Sequence, residues 1–141
     1  MAGYDEAVYR TYLAQVPMFR QCTNAQIEEL CQLADGLAFD PDQVLVREGD
    51  VGDEFYVLGS GEAVVSRAGK ELARLGPGDF FGEIALFDGT PRNATVTSTT
   101  GVTLVGLNRD AFQKMLGDAP AFRDAVLKGM AHRLHELDAK A

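Results

Sequence analysis

The stretch Phe80–Val96, FFGEIALFDGTPRNATV, places Glu83 and Arg92 nine positions apart, on either side of a DGTP break. Gly76, Gly78 and Gly82 interrupt the chain just upstream, and GEIALF predicts a single helical turn before the break. A short helix set into a wall of strands aims its unpaired N–H groups at whatever lies before it, and those groups favour an anion. Gly82 and Ala85 are small enough to let a ligand approach the backbone. Arg92 brings a permanent charge and a planar fork suited to two phosphate oxygens. An ionised Glu83 only accepts hydrogen bonds, so a ligand touching both residues must carry hydroxyl donors beside an anionic group, as a ribose phosphate does. The competing reading is a Glu83–Arg92 surface salt bridge flanking a loop, worth about 0–1 kcal/mol.

Outward from this stretch, residues 38–108 are short blocks of β-branched and aromatic residues separated by glycine pairs, among them QVLVREGD, EFYVLGSGEAVVSR and ATVTSTTGVTLVGLNR. Strand-sized runs with turn signals at intervals of about eight to twelve residues indicate an all-β sandwich or barrel. Ser60-Gly61 and Ala68-Gly69 are expected to close tight hairpins joining Tyr56–Leu58, Ala63–Arg67 and Glu71–Leu75. The predicted closure is an eight-stranded β-roll, jelly-roll-like, with flanking helices, a mostly β fold of α+β class. Helical spacing runs from Asp5 to Leu37, through Val8, Tyr12, Leu13 and Val16 and then Ile27, Leu30, Cys31 and Ala34, with an N-cap at Thr23 or Asn24 and Glu28 a turn later. After Arg109 a turn built on Phe112, Met115 and Leu116 is broken by GDAP, and Phe122, Val126, Leu127, Met130, Leu134 and Leu137 line one face of a final helix. That stripe reads either as packing on the barrel or as a lid or dimer seam. The expected organisation is one domain, residues 1–141, with N-terminal helices over 1–37, the β-roll over 38–108 and C-terminal helices over 109–141.

Composition narrows the functions. The 141 residues suit a single core, and 46% hydrophobic with 24% charged residues is ordinary globular usage. No apolar run reaches the ~18 residues of a membrane span, and MAGYDEAVYR lacks the basic start and apolar block of a signal peptide, so a cytoplasmic protein without membrane attachment is expected. A net charge of −8 and a pI near 4.6 oppose direct nucleic-acid binding. Cys22 and Cys31, nine residues apart in a helical segment, would be separated by about 13.5 Å, beyond disulfide reach, and are read as reduced. His132 and His135 lie on the final helix and are read as solvent-facing; no metal is expected.

FGEIALFDGTPRNATV resembles the phosphate-binding cassette of the cyclic nucleotide-binding domains of catabolite activator protein, the regulatory subunit of protein kinase A and cyclic nucleotide-gated channels. The fixed positions of F-G-E-[LI]-A-L and P-R-x-A-T-V are all met, by Phe81, Gly82, Glu83, Ile84, Ala85, Leu86, Pro91, Arg92, Ala94, Thr95 and Val96. VLVREGDVGDEFYVLGSGEAVV is similar to the glycine-bearing hairpins of the same family, so the resemblance covers essentially the whole chain, with the cassette at 81–96. It implies that Glu83 accepts from the ribose 2′-hydroxyl with the Gly82 amide nearby, that Arg92 pairs with the cyclic phosphate, and that the amides of Ala85 and Asn93 complete the phosphate nest. Ile84 and Ala94 belong to the same ligand-binding set. Val64, Val65 and Leu75 are the candidates for a wall against the base. The family's last helix acts as a lid, which makes Met130, Arg133, Leu134 and Leu137 lid candidates. Asn93 departs from the Ala, Ser or Thr usual after the arginine, where a hydroxyl is associated with acceptance of cyclic GMP; cyclic AMP is the first expectation and cyclic GMP the second.

The expected function is a stand-alone cyclic nucleotide receptor that needs no catalytic cofactor and signals through movement of its C-terminal helix to an effector protein, or through a homodimer seam on that helix. A metal enzyme of the cupin kind would gather histidines from the strands, which here hold none, so no catalysis is expected. A ligand-free interaction module is the remaining alternative, disfavoured because an unpaired buried arginine would be costly.

Overall fold

The structure, a computed structural model, describes residue 19, residues 22–83, residue 86 and residues 89–140, with side chains through residue 133. The helical expectation for residues 5–18 lies outside the described residues. Eight strands and three long helices follow in chain order: α1 (Asn24–Leu33), β1 (Ala34–Phe39), β2 (Val44–Val46), β3 (Glu54–Ser60), β4 (Ala63–Arg67), β5 (Lys70–Leu75), β6 (Phe80–Phe81), β7 (Thr95–Ser98), β8 (Val102–Asn108), α2 (Arg109–Asp118) and α3 (Pro120–Lys140).

The strands form two four-stranded antiparallel sheets, ordered β1-β8-β3-β6 and β2-β7-β4-β5. Leu58, Leu104, Val102 and Phe81 of the first sheet meet Ala63, Leu75 and Val96 of the second to make the core between the sheets. The opposite face of the first sheet carries Phe55, Val57, Val105 and Leu107 into a second cluster with Leu30, Ala111, Phe112, Met115, Phe122 and Val126 from the helices. Covered on both faces, β8 reads as the nearly continuous apolar run VTLVGLN, whereas β7, with one face in solvent, alternates as TVTS. Aromatic rings tie the helices to the sheet: Phe55 lies 4.8 Å from Phe112 and 5.8 Å from Phe122 between ring centroids.

The helices begin and end where local chemistry dictates. Thr23 caps α1 in a capping box with Gln26, each side chain bonding the other residue's backbone N–H. Gln26, three residues on, fills the role that spacing had suggested for Glu28. Asn108 caps α2 by accepting from the Ala111 N–H at 2.9 Å. Ala119 is extended, as a residue before proline must be, and Pro120 opens α3 at the position where its missing N–H costs nothing.

Three expectations are corrected. The helical spacing does not continue to Leu37: Ala34–Phe39 pairs antiparallel with β8 in full register, Ala34 opposite Leu107 and Phe39 opposite Val102, because this ladder supplies backbone partners that one more helical turn would not. The roll therefore begins at Ala34. Ser60-Gly61 is not a hairpin turn. It carries the chain from the first sheet to the second, with Gly61 at φ +84 packed directly against the Gly101 carbonyl, too close for any Cβ. Cys22 precedes the Thr23 cap and is outside α1, and the two cysteines are not joined in a disulfide. Ala68-Gly69 does close the β4–β5 hairpin, with both φ values positive at 52° and 80° as a two-residue turn of the I′ kind requires.

Ser98 locks β7 to the turn before β2. Fully buried, its hydroxyl donates to the Asp40 carbonyl at 2.7 Å and accepts from the Gln43 N–H at 2.9 Å. Ser98→Ala removes both bonds at part-buried positions and should cost about 0.5–1.5 kcal/mol in urea unfolding. A loss below ~0.3 kcal/mol would show that water replaces the hydroxyl there.

Candidate ligand-binding site

Arg92 enters the site from an extended segment that joins the loop after β2. Its N–H donates to the Asp50 carbonyl and its carbonyl accepts from the Gly49 N–H, both at 2.8 Å. The side chain is only 8% exposed. Its Nη2 donates to the Glu54 carbonyl at 2.7 Å and its Nη1 to the Gly82 carbonyl at 3.0 Å. Two glycines make room. A Cβ on Gly52 would fall on the guanidinium itself, and one on Gly82 would stand 2.5 Å from Nη1 and 2.9 Å from the Glu54 carbonyl oxygen. Gly82 also adopts φ +92, which aims its carbonyl at the arginine and which other residues rarely tolerate.

Glu83 is 3% exposed and turns to a different partner. Its Oε1 accepts from Arg133 Nη1 of α3 at 2.6 Å. Its Oε2 is buried with no hydrogen-bond partner among the described residues. The guanidinium of Arg133 also lies 4.4 Å from the centroid of the Phe80 ring, a cation–π contact. One turn earlier on the helix, Gly129 faces the same ring so closely that a Cβ would collide with its edge. Phe80 belongs to the helix-side core, so α3 is seated over the start of the cassette by Gly129, Phe80, Arg133 and Glu83 together.

The Glu83–Arg92 surface pair is therefore not what the structure contains: both residues are buried, and each has a separate set of partners. Asn93 is exposed, and its carbonyl accepts from Arg67 Nε at 2.8 Å; Ala94 is half-buried. Ile84 and Ala85 lie outside the described residues. Val65 and Leu75 border the core between the sheets, and Val64 pairs across the strands with Arg74 and Thr97 on the sheet's other face. Met130 packs against the helix-side core, Arg133 reaches Glu83, and the side chains of Leu134 and Leu137 lie outside the described residues. His132 is exposed, and among the described residues no group of three or more His, Cys, Asp and Glu side chains is placed to hold a metal.

Sequence reasoning missed Gly52, Gly129 and the Glu54 carbonyl. A glycine inside α3 costs about 1 kcal/mol against alanine, and that anomaly at Gly129 was the one available signal. Glu54 adds an electrostatic feature. Burial raises its carboxyl pKa, Asp35 and Asp53 raise it further, and Arg92 opposes them. Burial and then the Glu54 charge push up the neighbouring Tyr56 phenol.

Two predictions follow from this geometry. Arg133→Met leaves Glu83 buried and unpaired and should cost about 1–3 kcal/mol, much of it recovered by adding Glu83→Gln. Equal stability of the single and double variants in urea would refute the pair. For Glu54, the raised pKa means that the protonated form suits the fold, so the stability it gives is complete below the ordinary value of 4.5 and is lost as pH rises through the raised value. The permanently neutral Glu54→Gln should match the parent's melting temperature at low pH and exceed it increasingly toward neutrality. A flat difference across that range would contradict the assignment.

Comparison with known proteins gives the chain's family. The family model for the cyclic nucleotide-binding domain matches residues 37–118. The cAMP-dependent protein kinase regulatory subunit of Hypocrea atroviridis is 36% identical over 110 residues, which are 78% of this chain and 24% of that protein. The cGMP-dependent protein kinase of Toxoplasma gondii is 36% identical over 140 residues, 97% of this chain and 14% of that protein. The chain thus spans a quarter or less of the length of these relatives. A solved structure of cAMP-bound PfPKA-R (141-441) superposes with a TM-score of 0.84 at 25% identity, over 95% of this chain and 46% of that one. The matched model extends from β1 through α2 and contains both Glu83 and Arg92, and the chain belongs to the cyclic nucleotide-binding domain family.

Proposed function

We propose that this chain is a receptor module that binds cyclic AMP, with cyclic GMP as the second ligand, and passes the binding event to an effector protein through α3. The observation that carries the reading is the buried Glu83 carboxylate with one oxygen on Arg133 and the other, Oε2, lacking a partner among the described residues. A buried acceptor without a donor is costly, and a ribose 2′-hydroxyl is the donor that would remove the cost. Arg92 is the anion's counterpart. The Gly82 and Glu54 carbonyls hold two of its donors in a fixed plane, so the fork is oriented before a phosphate arrives. Gly82, Glu83, Ile84, Ala85, Arg92, Asn93 and Ala94 form the proposed ligand set, with Val65 and Leu75 toward the base.

Signalling follows from sharing one carboxylate. A hydroxyl donating to Oε2 draws charge away from Oε1 and changes the strength of its bond to Arg133, so ligand and helix are coupled through Glu83. The sign of that change sets whether nucleotide tightens or releases α3. Cyclic GMP is favoured as an alternative by Asn93, an exposed amide-bearing residue directly after the phosphate arginine, where its carboxamide is available to a purine edge. The site supports binding and not catalysis, and the effector, whether another protein or a second copy meeting on α3, remains part of the proposal.

Calorimetric titration of the refolded, nucleotide-stripped chain tests the reading. Arg92→Ala should weaken binding by about 2–5 kcal/mol, thirtyfold or more. Glu83→Ala should hurt the ribonucleotide and leave the 2′-deoxy analogue almost unchanged. Undiminished affinity in Arg92→Ala, or equal losses for both sugars in Glu83→Ala, would reject the respective role.

A further inference from the structure

Arg67 ends β4 on the solvent-exposed side of the Ala68-Gly69 turn. A long cationic side chain at such a place ordinarily trails into water, with only its stem on the protein. Here Nε crosses 26 positions of sequence to donate to the Asn93 carbonyl at 2.8 Å. A donor carrying full charge makes a stronger bond to a carbonyl than a neutral one. The same hairpin turn is tied down next door: the Ala68 N–H donates to Glu48 Oε1 at 3.0 Å, and the Glu48 N–H donates to Thr95 Oγ1 at 3.0 Å.

These bonds hold the end of the cassette from two sides. The loop after β2 fixes Arg92 through Gly49 and Asp50 and fixes Thr95 through Glu48. Between those anchors lies Asn93, the residue that links the phosphate arginine to β7. Its carbonyl is held by Arg67 alone among the bonds described for it. A peptide unit is planar, so fixing the Asn93 carbonyl fixes the Ala94 N–H on the other side of the same plane and restricts the ψ of Asn93. That sets the direction in which Asn93 offers its carboxamide.

We infer that Arg67 is a positioning residue for the nucleotide site, holding the Asn93 peptide so that residue 93 meets the purine of a bound nucleotide in one orientation. The inference rests on the cyclic nucleotide reading of the site given above. Arg67 touches no ligand in this account. It acts through Asn93, and its effect is on affinity and on the choice between the two purines.

The test has a ligand-free arm and a binding arm on the whole chain. In the first, Arg67→Met should shift the ¹⁵N–¹H resonance of Ala94 and speed its hydrogen exchange, with the unfolding midpoint close to the parent's. In the second, cyclic AMP and cyclic GMP are titrated into the parent, Arg67→Met, Asn93→Ala and the double variant. Arg67→Met should lose about threefold to tenfold in affinity, the scale of one hydrogen bond, and should change the ratio of the two affinities when Asn93 is present but not when Ala stands there. An unmoved Ala94 resonance overturns the inference whatever the nucleotides do. An equal loss for both nucleotides in both backgrounds also overturns it, because it assigns Arg67 only a charge effect on an anionic ligand. A parent chain that binds neither nucleotide overturns the reading of the site and the inference with it, a result the ligand-free arm separates from failure of the Arg67 bond itself.

Discussion

Burying Glu83 and Arg92 costs on the order of several kcal/mol per ion, and the fold meets that cost differently at each residue. Arg92 is held by backbone carbonyls, which lend partial negative charge without neutralising it. Glu83 is held on one oxygen by a cation from a distant helix, and the other oxygen has no partner among the described residues. Had the two paired with each other, the site would be a closed salt bridge with little to offer a ligand. Keeping them apart demands glycine at 52 and 82, where any side chain would push the guanidinium from its carbonyls.

The rest of the architecture serves that separation. The β1-β8-β3-β6 sheet is apolar on both faces, one face against the second sheet and the other against the helices, and β3 thereby becomes a rigid mount for the Glu54 carbonyl. Phe80, at the start of the cassette, packs into the helix-side core and also lies under the Arg133 guanidinium. A displacement of α3 must therefore disturb Phe80, Arg133 and Glu83 at once. Gly129 allows the close approach that makes the three contacts simultaneous, which explains why a helix tolerates glycine there.

Much of this was legible in the sequence because Glu83 and Arg92 share one contiguous stretch, and glycine and proline punctuate it. The roll was legible from its short β-branched runs, and the α2–α3 break from Ala119-Pro120. What stayed hidden depends on contacts between remote segments. ADGLAF has no β-branched residue and prolongs the helical spacing of α1, so only its ladder to β8 shows it to be a strand. Ser60-Gly61 has the composition of a hairpin turn, and nothing local distinguishes a turn within one sheet from a passage between two. Gly52 matters for the side chain it lacks and the Glu54 carbonyl matters as backbone, and neither leaves a pattern to read; Gly129 shows only as a glycine out of place inside a helix. In the Val64-Val65 pair only the register decides which member faces the core between the sheets, and it is Val65.

The central claim is that Glu83 joins ligand and helix through its two oxygens, and a crystal structure of the chain with cyclic AMP tests it most directly. The account predicts the ribose 2′-hydroxyl within about 2.5–3.0 Å of Glu83 Oε2, the cyclic phosphate on Arg92, and an altered Glu83–Arg133 separation relative to 2.6 Å. Nucleotide bound with its ribose away from Glu83, or bound as expected while the Arg133 contact is unchanged, would contradict it.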